Sequence, residues 1–224
     1  MAGSGSLKPF YVGLAVIAVA GVTAILLARR QGSTAPSADT AAPIPVSAAQ
    51  AQTFTLGSDS APVKVTEYSS FICGWCARFA VLTMPDVRSR LIETGEVQWT
   101  YRDFPTGEVA LPAHNAAHCA GEQGRFWEMK DQLFYNQARW IGERRPERQF
   151  RDYARTLNLD LGRFDACMDE NRYVSQIEAN RSFGQALGVG STPTFIINGK
   201  VVPGFKPFDE FRAEIDKAAE AAKQ

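Results

Sequence analysis

Cys73-Gly74-Trp75-Cys76 follows the strand-prone run Val63-Lys64-Val65-Thr66-Glu67-Tyr68 and opens a helical pattern. Two cysteines so spaced at a helix start constrain the chain strongly. Their sulfurs can close a disulfide with little strain, and the first faces unpaired amides and the positive end of the helix dipole. That setting favours thiolate: a free thiol is only about 3% ionised at pH 7, whereas dithiols so placed titrate roughly between 3.5 and 7.5. Cys73 is therefore expected to be the nucleophile and Cys76, one turn inward, the resolving thiol. A zinc knuckle shares the spacing, but no second Cys-x-x-Cys or finger-spaced histidine pair follows, so no metal is expected.

Far downstream, Ser191-Thr192-Pro193-Thr194-Phe195-Ile196-Ile197-Asn198-Gly199-Lys200 sets a proline ahead of a short β-branched and aromatic strand with an Asn-Gly turn after it. A cis Thr192–Pro193 bond is expected, since cis costs only about 0.5 to 1 kcal/mol there and serves sharp turns, although an X-Pro bond taken alone is usually trans. Periodicity and punctuation give the layout. Strands are expected at 63–68 and 96–101, with a helix from 74 to about 92 bent near Pro85. A helical block at about 108–186 breaks near Gly121, 142–146 and 158–162. Strands return at 194–198 and 200–203, and a final amphipathic helix carries Phe208, Phe211, Ile215 and Ala218.

Four segments, in order and spacing, carry a family likeness: Glu67-Tyr68-Ser69-Ser70-Phe71-Ile72-Cys73-Gly74-Trp75-Cys76, Tyr101-Arg102-Asp103-Phe104-Pro105, Cys119-Ala120-Gly121-Glu122-Gln123-Gly124-Arg125-Phe126-Trp127, and Ser191-Thr192-Pro193-Thr194-Phe195. Over about residues 53–220 the chain resembles the thioredoxin-fold thiol-disulfide oxidoreductases, and within them the DsbA-like group with a helical insertion. The resemblance implies an α/β thioredoxin fold with an inserted α-helical domain at about 108–186, no bound cofactor, and thiol-disulfide exchange at Cys73. It implies that an unfolded chain lies along the edge at Thr192–Pro193, with Phe71, Gly74 and Trp75 in contact with it. Glu67, six positions before Cys73, stands where the family has an acidic proton relay for the resolving cysteine; the alternative is a solvent-facing strand carboxylate. Cys119 and Cys167 are expected to form a structural disulfide, because such pairs are often bridged in oxidising compartments and some members carry a second pair in the insertion; two buried free thiols are the alternative.

The resemblance implies a protein that introduces disulfides into exported proteins and is re-oxidised by a quinone-linked membrane partner of the DsbB or vitamin-K-epoxide-reductase type. Two departures open the other direction. Gly-Trp stands between the cysteines where the strongest oxidants have Pro-His, and Thr192 stands before the proline where an aliphatic residue is usual. A reductase or isomerase, including one that reduces apocytochrome thiols, is the enzymatic alternative, and a non-catalytic membrane-tethered chaperone is the alternative of another class.

Composition narrows the partners. From Thr53 onward there are 21 basic and 23 acidic residues, so there is no basic stripe and nucleic acid is not expected. Residues 10–28 are 19 without a charge, about the length that crosses the hydrocarbon core and longer than a usual signal-peptide core. Residues 1–9 are expected as a cytoplasmic tail, 10–28 as a single-pass inner-membrane anchor (an uncleaved signal being the variant), 29–52 as a flexible Ala/Ser/Pro linker and 53–224 as the catalytic domain in the periplasm or extracytoplasmic space. The linker leaves no room for an isomerase-type dimerisation domain, which points to a monomer. His114 and His118, four apart, are expected as surface or capping residues, and Phe126, Trp127, Trp99 and Phe195 as core.

Overall fold

The computed structural model of the chain describes residues 53–223. The expected tail, membrane span and linker at 1–52 lie outside the described residues, among which no helix is long and apolar enough to cross a membrane.

The β-branched runs pair into one sheet of five strands: β1 (Phe54–Leu56), β2 (Val63–Ser69), β3 (Val97–Asp103), β4 (Thr194–Ile197) and β5 (Lys200–Pro203), in the order β1-β3-β2-β4-β5. β2 and β3 run parallel, with Val65 opposite Trp99, Glu67 opposite Tyr101 and Ser69 opposite Asp103. The other pairs are antiparallel. Asn198 and Gly199 turn β4 into β5 with φ of 44° and 86°, a doubly left-handed backbone that these two residue types tolerate best. The short β1 has no sequence signal of its own; it exists because β3 offers it an open edge.

Helix α1 (Gly74–Leu82) follows the cysteine turn, and α2 (Met84–Val87) continues into a π-helical turn at Arg88–Ile92. The single helix expected over 74–92 is thus broken at Thr83. Pro85, which lacks an N–H, sits in the first turn of α2, where no intrahelical donor is needed. Between β3 and β4 lie a 3-10 turn at Glu108–Ala110 and α3 (Leu111–Gly121), α4 (Phe126–Tyr135), α5 (Gln137–Trp140), α6 (Glu147–Thr156), α7 (Leu161–Asp169) and α8 (Val174–Ala186). Two breaks in this block were not expected: one at Asn136, between α4 and α5, and one after α7, where Asn171 takes φ 48°. Helix α9 (Phe208–Ala221) closes the described chain.

Alternation along β2 sends Val63 and Val65 to the face covered by α1 and α9. There Phe79, Trp99, Phe195 and Phe211 are fully buried, with Phe79 4.7 Å from Phe195 and 5.5 Å from Phe211 between ring centroids. Each buried phenylalanine contributes about 1.5–3 kcal/mol. On the opposite face Tyr68 packs with Phe104 and Val189 beneath α8. Helix α8 comes this close because residue 184 is glycine: a Cβ there would stand 2.7 Å from the Tyr68 ring. The insertion does not have a core apart. Phe71, Cys76 and Tyr101 belong to one buried cluster with Ala113, Ala116, Ala117, Phe126, Met129, Phe134, Trp140, Phe150 and Phe164.

Candidate active site

Cys73 is the N-cap of α1, with extended backbone (φ −81°, ψ 117°), and its Sγ accepts a hydrogen bond from the Cys76 N–H at 3.2 Å. The helix start therefore uses a sulfur where other helices use a serine or aspartate oxygen. Both cysteines are free thiols; Cys73 is half-buried and Cys76 fully buried. The Thr192–Pro193 bond is cis, and in the thiol form Cys73 Sγ donates to the Thr192 carbonyl at 3.3 Å.

These surroundings split the two sulfurs. The hydrogen bond from the Cys76 side chain is the main cause lowering Cys73 to about 6; partial burial opposes it, while the Thr192 side chain and the Cys76 and Trp75 amides reinforce it. Such a thiol is roughly nine-tenths ionised at pH 7. Burial pushes Cys76 well up, the neighbouring Cys73 sulfur adds to this, and Ser69 and Ser70 only partly offset it.

Trp75 is 56% exposed, and its ring lies 5.7 Å from that of Phe205. The Arg78 guanidinium stands over both rings, at 5.4 and 5.2 Å, within the range of cation–π attraction. Trp75, Thr192, Gly204 and Phe205 line a shallow groove. Gly74 is exposed at the helix tip. Phe71 is not at this surface, which corrects the contact expected of it. Its side chain is fully buried against Phe134 at 4.8 Å and His114 at 4.7 Å, because the insertion closes over the end of β2.

Glu67 is fully buried, so the solvent-facing alternative falls. Trp99 Nε1 donates to its Oε2 at 3.2 Å, and its Oε1 has no partner among the described residues. The Tyr101 hydroxyl, on the residue paired with Glu67 across the sheet, is buried; burial, then the Asp103, Glu67 and Cys76 charges, push its pKa well up, and the Ser69 hydroxyl only partly offsets this. Cys119 and Cys167 are joined by a disulfide linking α3 to α7, with Cα atoms 5.8 Å apart.

His114 and His118 are not surface or capping residues: both are fully buried, and both bind one carboxylate. Asp103 meets His114 Nδ1 at 2.7 Å, His118 Nε2 at 2.8 Å and the Asn180 side-chain amide at 2.9 Å. Burial alone would raise Asp103, but the two histidines outweigh it and hold it well below the usual carboxylate range. The i,i+4 spacing is a fork onto Asp103, and among the described residues no group of three His, Cys, Asp or Glu side chains is placed to hold a metal. Trp127, expected in the core, is half-buried at its margin.

A family model described as thioredoxin matches residues 49–217. The Na(+)/H(+) antiporter NhaA 3 of Salinispora tropica is 37% identical over 147 residues, which are 64% of this chain and 21% of that protein. The chain spans only about a fifth to a quarter of the length of the antiporters it matches. Disulfide bond formation protein D of Bacillus subtilis is 26% identical over 166 residues, 72% of this chain and 75% of that one. The crystal structure of alpha-DsbA1 from Wolbachia pipientis superposes with a TM-score of 0.70 at 24% identity, covering 80% of this chain and 94% of that chain, a likeness of fold.

Proposed function

The chain belongs to the thioredoxin family, in its DsbA-like group with a helical insertion, and from that premise we propose that it is an extracytoplasmic thiol-disulfide oxidoreductase that introduces disulfides into exported proteins through Cys73 and Cys76. The observation that carries the reading is the division between the two sulfurs: a half-buried Cys73 lowered to about 6 and a fully buried Cys76 pushed up. A stabilised thiolate favours the reduced enzyme and so makes its disulfide an oxidant.

A substrate thiolate attacks Cys73 Sγ, the Cys73–Cys76 bond breaks, and Cys76 leaves and takes a proton. A second substrate thiolate then attacks the substrate sulfur of the mixed disulfide and releases Cys73 as thiolate. The substrate loses two electrons and the dithiol gains them. Glu67, buried on the sheet strand that leads into the cysteine turn, is assigned as the proton source for Cys76. The groove of Trp75, Thr192, Gly204 and Phe205 receives the substrate segment. Residues 10–28 anchor the protein in the bacterial inner membrane, the catalytic domain at 53–224 faces the periplasm, a quinone-linked membrane protein restores the disulfide, and the enzyme acts as a monomer.

The test is the reduction potential of the Cys73–Cys76 pair against glutathione, with Cys119 and Cys167 followed separately by mass. A value near about −120 mV supports a disulfide donor; one near about −270 mV makes the protein a reductase.

A further inference from the structure

We infer that Gln137, at the start of α5 in the helical insertion, is a positioning residue for the attacking thiol, holding the cysteine turn by its backbone. The inference rests on Cys73 as the nucleophile. The Gln137 side-chain amide nitrogen donates to the Phe71 carbonyl at 2.7 Å and to the Cys73 carbonyl at 3.1 Å, so both its hydrogens are used. Its orientation is forced, since a flip would set the amide oxygen against two carbonyl oxygens. The Phe71 N–H turns to the same insertion, toward His114 Nε2 at 3.5 Å, a ring whose other nitrogen is tied to Asp103. Every backbone hydrogen-bonding group of Phe71 is thus held by an insertion side chain. Gln137 itself is on firm ground: three residues on, the buried Trp140 donates through Nε1 to the Leu133 carbonyl at 2.8 Å.

The consequence falls on the sulfur. Cys73 reaches the Cys76 N–H only while its backbone keeps the extended N-cap conformation, and its carbonyl is one of the two that Gln137 holds. The same carbonyl accepts the first helical bond of α1, from the Ala77 N–H at 3.1 Å, so Gln137 is its second donor and adds to the helix in fixing the turn. Releasing the turn lets Sγ leave its donors, and the thiol then ionises less readily.

The experiment uses the full chain with Cys119–Cys167 intact and Cys73–Cys76 reduced. Thiolate absorbance is titrated, and the rate of Cys73 alkylation by iodoacetamide is measured below its midpoint, for wild type, Gln137→Leu and Gln137→Glu. Losing the donated hydrogen bonds should slow alkylation roughly threefold to tenfold in Gln137→Leu and move the midpoint upward. Gln137→Glu, which keeps the shape but has no N–H to donate, should be slower still. Two variants that titrate and react as wild type overturn the inference; so does a Gln137→Glu variant that matches wild type, which would leave only side-chain volume. Cys73→Ser separates this from the functional reading: if it retains exchange activity, the nucleophile is wrong, whereas silent Gln137 variants beside a dead Cys73→Ser reject only the positioning role.

Discussion

Between pH 5 and pH 8 the reduction potential of the Cys73–Cys76 pair should fall by about 120 mV, against about 175 mV for a dithiol whose first thiol ionises near 8.5. Below the Cys73 midpoint, reduction takes up two electrons and two protons and the potential falls about 59 mV per pH unit; above it only Cys76 takes a proton, and the slope halves to about 30 mV. With Cys73 at about 6 and Cys76 pushed well up, the change of slope falls inside the accessible range. The sign follows: above the midpoint the reduced form gains stability by ionising, so at pH 7 the pair is more oxidising by about 30 mV than one with an ordinary thiol. The assay is equilibration in glutathione buffers at half-unit pH steps, referred to the pH dependence of glutathione itself, with acid quenching and mass counting of the two states. A slope that stays near about 59 mV per unit through pH 8 would refute the assigned asymmetry, because Cys73 would then still be protonated where the hydrogen bonds to its sulfur should have ionised it.

Replacing Cys119 and Cys167 by alanine opens a loop closed across a separation of 48 residues and should cost about 4 kcal/mol on the chain-entropy relation, read as a lower urea midpoint with the Cys73 titration unmoved. Asp103→Ala leaves two buried histidines without their acceptor and should cost about 3–5 kcal/mol by urea unfolding. Because Asp103 is depressed in the folded state, its contribution is present above the unfolded value of about 4 and is lost as pH falls below it, so the variant should lose less stability than wild type on acidification. Glu67→Gln keeps shape but cannot supply a proton; formation of the mixed disulfide with loss of Cys76 should slow about 100-fold while the Cys73 titration holds, and an unchanged rate would remove Glu67 from the proton path.

Much of the fold was legible because the chemistry announced itself locally. The cysteine pair lies where a strand gives way to a helix, Asn198-Gly199 marks the hairpin, and Phe208, Phe211 and Ile215 keep helical spacing. What escaped depends on partners far along the chain. Nothing near His114 and His118 points to Asp103 at the end of β3: Ala113, Ala116, Ala117 and Ala120 fall on a single stripe of α3 with both histidines off it, so the pattern reads as a helix with one buried face, whereas the structure buries it on all sides. Glu67 shares a strand register with Val63 and Val65 and so belongs to their face, but Tyr68 is also buried, and with both faces covered alternation alone could not separate inside from outside. Phe71 looked like surface because it adjoins the reactive turn; the insertion that covers it comes more than forty residues later. Gln137 carries no sequence signal, since its role is one amide meeting two carbonyls of a distant turn.

The unequal burial of the two sulfurs also sets how the site ages. An oxidant such as peroxide reaches the half-buried Cys73 thiolate first and converts it to a sulfenic acid, while Cys76, shielded and protonated, is spared. Cys76 lies one helical turn away and can condense with that sulfenic acid, expelling water and forming the Cys73–Cys76 disulfide. Irreversible sulfinic damage requires a second oxidant molecule to arrive before this closure. A chemical accident at the reactive thiol is thereby returned to a Cys73–Cys76 disulfide, a state that thiol-disulfide exchange can reopen.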